Sequence, residues 1–187
     1  IVYDEAGTTR DAVSAEFIFN KKEFILTDTA GIRKKGKVIA TIEKFSIIKT
    51  LSSIESSNVV ILVIDASGGI AAQDMHLIGF VLESGKSIVI AINKWDSVSA
   101  YEKEKIQNEI DQKLLFVNFA EKVFVSALKG SGLKLLMNSV IKAFKSSSLK
   151  FSTPQINEVL SNAIQTHQPK IIKGIRPKLK FAHQGGL

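Results

Sequence analysis

Cysteine is absent from the 187-residue sequence, so neither a disulfide framework nor a thiolate metal site can be built from it. Histidine is scarce too. His76, His167 and His183 stand far apart, a spacing that does not supply the clustered ligands of a zinc site. No apolar run approaches the roughly 18 residues that suggest a membrane-spanning helix. The opening residues Ile1-Val2-Tyr3-Asp4-Glu5 carry neither the basic start nor the apolar stretch of a secretory leader. Together these absences lead us to expect a protein of the reducing cytoplasm with no membrane partner.

What the sequence does contain is enough apolar material for a core, 45% of its residues. Its net charge of +7 is unevenly spread. Residues 148–187 hold Lys150, Lys170, Lys173, Arg176, Lys178 and Lys180 against the single acid Glu158, a net +5 that leaves only +2 for the other 147 residues. A short basic tail on a near-neutral body points to a polyanionic partner, with nucleic acid foremost. The plainer alternative is a soluble surface with no such partner.

Strand and helix signals alternate along the chain. Val13–Phe19 alternates in polarity, and Glu23–Thr27 follows after Asn20-Lys21-Lys22, which predicts a hairpin with one exposed edge. Three short β-branched runs come next: Val59–Ile64, Ile88–Ile92 and Val123–Val125. Their lack of alternation is that of strands buried on both faces of a parallel sheet. Apolar residues recur at helical spacing in Ile42, Phe45, Ile48, Leu51 and Ile54, in Ile106, Ile110 and Leu114, and in Leu133, Leu136, Met137, Val140, Ile141 and Phe144. The series predicts an α/β doubly wound sheet of the P-loop NTPase type, whose ligands sit outside the carboxyl ends of the strands. Lys145–Ser148 reads as a linker that divides the chain into residues 1–147 and 148–187. Beyond it, Ser152 or Thr153 caps a helix with Pro154 in its first turn, and Arg176–Phe181 reads as a basic strand. One helix and one strand in so short a tail cannot bury a core of their own.

Four strings stand at strand ends or ahead of them. Asp28-Thr29-Ala30-Gly31 follows the second strand. Its acid can hold a water on Mg²⁺, and its glycine lets a backbone amide approach a terminal phosphate. By itself this string is equally an ordinary turn. Asn93-Lys94-Trp95-Asp96 is far more specific. A carboxylate there accepts from the ring and exocyclic nitrogens of guanine, a donor pair that adenine lacks. The Lys94 stem can cover the base, and Asn93 can tie neighbouring loops together. Ser126-Ala127-Leu128, with Lys129-Gly130 after it, can direct a backbone amide at the guanine oxygen. Gly7-Thr8-Thr9-Arg10-Asp11 is in isolation a possible turn, but ahead of Asp28–Gly31 it reads as a switch segment.

These strings, with Ile32-Arg33 and Glu43-Lys44-Phe45-Ser46, resemble the second GTPase domain of the bacterial tandem GTPases of the EngA family, also called Der. Ile175–Gly186 is similar to the start of that family's KH-like α+β domain. The resemblance covers essentially the whole chain. It implies hydrolysis of GTP to GDP and phosphate, in the service of large ribosomal subunit assembly. The partners it implies are that subunit with its RNA and the first GTPase domain of the same protein. It implies Mg²⁺ held by Thr9 directly and by Asp28 through water, the terminal phosphate read by Gly31, and guanine selected by Asp96. Thr29, Ala30, Ile32, Trp95, Ala127 and Leu128 then line the nucleotide. Where many GTPases carry a water-orienting glutamine this chain has Ile32, which has no polar side-chain atom. The resemblance therefore implies a K⁺-activated enzyme with Thr8 as a candidate K⁺ ligand. The family's phosphate loop, G-x-x-x-x-G-K-S/T, precedes the segment matching Gly7–Thr9, and no such string occurs in this sequence. The chain is accordingly expected to be a fragment that is inactive alone. A different function, binding RNA or protein through the basic tail without nucleotide, stays open at this point.

Overall fold

The computed structural model describes residues 13–29, 48 and 50–185. They fall into two compact units divided between Ser147 and Ser148.

The first unit begins with an antiparallel hairpin of β1 (Val13–Phe19) and β2 (Lys22–Asp28). Asn20 and Lys21 make the two-residue turn, with φ of 49° and 60°. Two positive φ values give the turn the twist that strands of a tight hairpin need, and asparagine tolerates that region well. Lys22 thus belongs to the strand and pairs with Phe19. Phe17 stacks on its cross-strand partner Phe24 at 5.3 Å between ring centroids.

The main sheet is parallel, in the order β3 (Val59–Asp65), β4 (Ser87–Asn93), β5 (Glu121–Phe124). Side chains of β4 alternate between two cores, as the period of a strand requires. Ile88, Ile90 and Ile92 enter one core with Ile64, Ile78, Val81, Ile110 and Leu114. Val89 and Ala91 enter the other with Val123, Val125, Leu136 and Val140. Helices α1 (Ala72–Glu83) and α2 (Ala100–Lys113) contribute to the first core, and α3 (Leu133–Ser147) covers the second. Ile90 is wholly buried, and truncating such a side chain to alanine costs about 2–5 kcal/mol.

Burial on both faces holds for the central strand β4 but not for β3, where Val63 is 58% exposed. Among the described residues β3 pairs only with β4, so it is an edge strand of this sheet. Helix α1 falls outside the periodic runs read from the sequence. Its buried side carries Asp74 with Ile78 and Val81, and that acid interrupts the apolar stripe; the helix start is held by Asp74 Oδ2 accepting from the Ala71 amide at 2.9 Å. Helix α2 starts on Ser99, whose hydroxyl oxygen accepts from the Glu102 amide while the Glu102 carboxylate accepts from Ser99. Lys145–Ser147 does not act as a linker but completes the last turn of α3. A cation suits that end of a helix, and the Ser147 hydroxyl donates to the Phe144 carbonyl. Of the helical run expected from Ile42 to Ile54, residues 48 and 50–56 are described, and they are helical. Ile42 and Phe45 lie outside the described residues.

In the second unit α4 (Thr153–Thr166) starts at Ser152 with Pro154 in its first turn. The Asn157 side chain donates to the Ala182 carbonyl and accepts from the Ala182 amide, both at 2.9 Å. Gln184 spans Phe151 and Leu149 in the same way. Arg176–Phe181 is not a strand. A strand needs a ladder partner, and in this region the chain pairs only Ile172 with Ile175, around a turn at Lys173 and Gly174. Among the described residues no helix is long and apolar enough to cross a membrane.

Candidate guanine-recognition site

The carboxyl ends of β3, β4 and β5 lie side by side, with Asp65 in register with Asn93 and Ile92 with Phe124. The loops that leave them are fastened to one another by backbone groups. Asn93 is the hub. Its carbonyl accepts from the Ala66 amide at 2.9 Å, which binds the β3 loop. Its side-chain Oδ1 accepts from Lys94 N at 2.8 Å and from Ala127 N at 3.0 Å, which binds the β5 loop. The Trp95 amide donates to the Val125 carbonyl at 3.1 Å.

Lys94 sits in the left-handed region with φ 62° and ψ 29°. That conformation is strained for lysine, and its surroundings hold it there: its amide is taken by Asn93, and its carbonyl accepts from Ser97 N and Oγ. The reversal starts the short turn Trp95–Ser97. Trp95 turns inward against Phe124, ring centroids 4.2 Å apart, and the Lys103 ammonium stands 5.5 Å from its centroid. Trp95 is therefore a packing residue of this loop.

Asp96 stays near the surface. The Ser126 hydroxyl bonded to it, and the positive charge of Lys129 beyond, hold its carboxyl below the ordinary aspartate range. Lys129 Nζ is 3.6 Å from Asp96 Oδ2. Ser126 is buried, and its Oγ also accepts from the Lys129 amide, while the backbone of Ser126 pairs with Ser131. The side chain of Leu128 is 90% exposed, so only its backbone is held by the loop. Gly132 closes the loop at φ +76°, with Phe124 O only 2.4 Å from where a Cβ would stand. Glycine alone fits there.

Asp28 ends β2, exposed, and Thr29 follows half-buried. Thr8, Thr9, Ala30, Gly31 and Ile32 lie outside the described residues. Among the described residues no group of three His, Cys, Asp or Glu could hold a metal ion. Sequence reasoning missed three residues of the site: Asp65, Lys129 as a charge partner, and Gly132. Asp65 could have been found as an acid ending a buried apolar run, the same signal that marked Asp28.

A sequence profile of the elongation factor Tu GTP binding domain matches residues 4–146. The chain belongs to this family of GTP-binding domains. Within it, the chain is similar along its whole length to GTPase Der: 46% identical over 186 residues to that of Pseudomonas aeruginosa strain LESB58, and 49% over 187 residues to that of Variovorax paradoxus strain S110. It spans 38% and 42% of those two proteins, about two fifths of their length. Among solved structures, Era in complex with MgGDPNP and nucleotides 1506–1542 of 16S ribosomal RNA superposes with a TM-score of 0.65 at 28% identity. The match covers 76% of this chain and 47% of that one. A point variant of Aquifex aeolicus Era bound to GDP.AlF4⁻ gives 0.64 at 29% identity, over 76% and 48%. The α/β P-loop GTPase fold and the resemblance to Der are thereby established.

Proposed function

We propose that this chain is the guanine-recognising part of a GTPase that hydrolyses GTP to GDP and phosphate. The observation that carries the reading is the Asp96 carboxylate beside the amide-lined Ser126–Leu128 loop, the two loops bound through Asn93 Oδ1. A carboxylate accepting two hydrogen bonds on one side and a backbone amide of the Ser126–Leu128 loop donating on the other match guanine and mismatch adenine. Lys94 then lies along the base, and Trp95 supports the loop from behind. Thr9 and Asp28 would hold Mg²⁺, directly and through water, and Gly31 would read the terminal phosphate. When bound, Mg²⁺ supplies charge neutralisation at the phosphates, and most of its other ligands are waters and phosphate oxygens. Such a site needs no protein cluster of three acids or histidines. Ile32 cannot orient a water, so we assign the missing positive charge to K⁺ with Thr8 as a ligand.

The work of the parent protein is ribosome assembly, with RNA, the large subunit and the first GTPase domain of the same protein as partners. Era solved with ribosomal RNA supports RNA as a partner class, and the large subunit rests on the resemblance to the EngA family.

The test is Asp96→Asn in the full-length protein. The substitution turns one of two acceptors into a donor and leaves a guanine donor unpaired. At this site affinity for GTP should fall roughly 10- to 100-fold and xanthosine triphosphate should become the preferred ligand, while the first GTPase domain keeps GTP. A variant that binds as much GTP as the wild type and no xanthosine triphosphate removes Asp96 from this role.

A further inference from the structure

Asp65 terminates β3 at the same level as Asn93 on β4. It is not part of the guanine-reading strings, yet it has more polar partners than any of the other described acids at the strand ends. Its Oδ1 accepts from the Ser67 amide at 3.0 Å and from the Ser67 hydroxyl at 2.7 Å. Its Oδ2 receives the Lys94 ammonium at 2.6 Å. The two Ser67 bonds fix the carboxylate plane, so the second oxygen is aimed before Lys94 reaches it. The Asp65 side chain is 23% exposed and that of Lys94 is 59% exposed, so the acid is the fixed member and the lysine the held one. The bond from Lys94, then those from Ser67, bring the Asp65 carboxyl down to about 2, which keeps it charged throughout the physiological range.

The Lys94 backbone is set by its left-handed turn and its ammonium by Asp65. A lysine stem fixed at both ends runs from the β4 loop to the end of β3. We propose that Asp65 is a positioning residue of the nucleotide site: it holds the Lys94 stem in the plane on which the base lies. The inference rests on the guanine-site reading above. Left free, four methylene groups lose rotamer freedom when a base settles on them. Held by Asp65, they have lost it already, and the ammonium asks nothing of the ligand.

The experiment follows release of a fluorescent GDP from the full-length protein by stopped flow, in the phase that Asp96→Asn removes and that is thereby told apart from release by the first GTPase domain, for Asp65→Ala and Asp65→Asn, each with and without Lys94→Met. Methionine keeps an apolar stem and deletes the ammonium. Asp65→Ala should speed release about three- to tenfold, the range expected for losing one partly exposed anchoring pair. Asp65→Asn keeps an acceptor toward Ser67 and guards against loss of fold, and it should act in the same direction. In the Lys94→Met background neither substitution should change the rate further, because the ammonium through which Asp65 acts is gone. A merely structural role would speed release equally in both backgrounds, and that result overturns the proposal. So does an unchanged rate for Asp65→Ala in a protein whose wild type binds GDP. If Asp96→Asn removes no phase of release, the guanine-site reading falls and this proposal with it.

Discussion

Gly132→Ala is the sharpest available test of how the β5 loop is built. The added methyl would stand 2.4 Å from Phe124 O, 3.1 Å from Val125 Cγ1 and 3.2 Å from Val125 Cα. Two of these three are backbone atoms and cannot rotate away. The cost has two parts. Holding alanine at φ +76° costs about 1–2 kcal/mol. Moving the end of β5 or the start of α3 to relieve the contact adds about 1–3 kcal/mol, the usual penalty of overpacking. Gly130→Ala separates the parts, because Gly130 has φ +69° with nothing within 4 Å of its Cβ position. It should cost the backbone share alone. Trp95, the one tryptophan of the chain, packs on the Phe124 ring and bonds the Val125 carbonyl, the two residues that Gly132→Ala displaces. Urea unfolding followed through Trp95 fluorescence, with any other tryptophan of the full-length protein replaced by phenylalanine, reads both stability and the local change. Gly132→Ala should lower stability by about 1–3 kcal/mol more than Gly130→Ala and alter the emission of the folded protein. Equal losses with unaltered emission would refute the argument that close approach, and not φ alone, selects glycine at this position.

Two further predictions concern the assignments made from resemblance. GTP hydrolysis by the full-length protein should rise when Na⁺ is replaced by K⁺ at constant ionic strength, and equal rates in the two salts would leave a partner-supplied residue as the source of the missing charge at Ile32. Neutralising Arg176, Lys178 and Lys180 together should weaken ribosome pelleting and lower the salt slope by about 2–3, since each phosphate contact contributes slightly under one unit; an unchanged slope with binding intact would assign these cations to packing within the protein.

The sheet was legible where chemistry forces a pattern. A strand covered on both sides has no room for polar residues, so Ile88–Ile92 announced the centre of the sheet and, at its end, the loop of Asn93–Asp96. The same criterion overstated β3, because sequence carries no sign of which strand has a neighbour on each side. Helix α1 was lost because a polar residue, Asp74, stands on its buried side with Ile78 and Val81 and breaks the apolar period. The Arg176–Phe181 stretch failed because alternation shows compatibility with a strand, while pairing depends on a partner elsewhere. At the site, Asn93, Asp96 and Ser126 stand in strings of fixed spacing and were legible, whereas Asp65 and Lys129 meet other side chains brought close only by folding.

Asn93 joins the loops of β3, β4 and β5 through one carbonyl and one amide oxygen. Its consequence reaches past recognition of the base. On the proposed guanine reading, GTP and GDP carry the same purine, so the loops knotted together at Asn93 would meet an identical object before and after hydrolysis. They would then work as a fixed moorage, indifferent to whether the terminal phosphate is present. Any signal that distinguishes the two nucleotides would have to arise away from this knot.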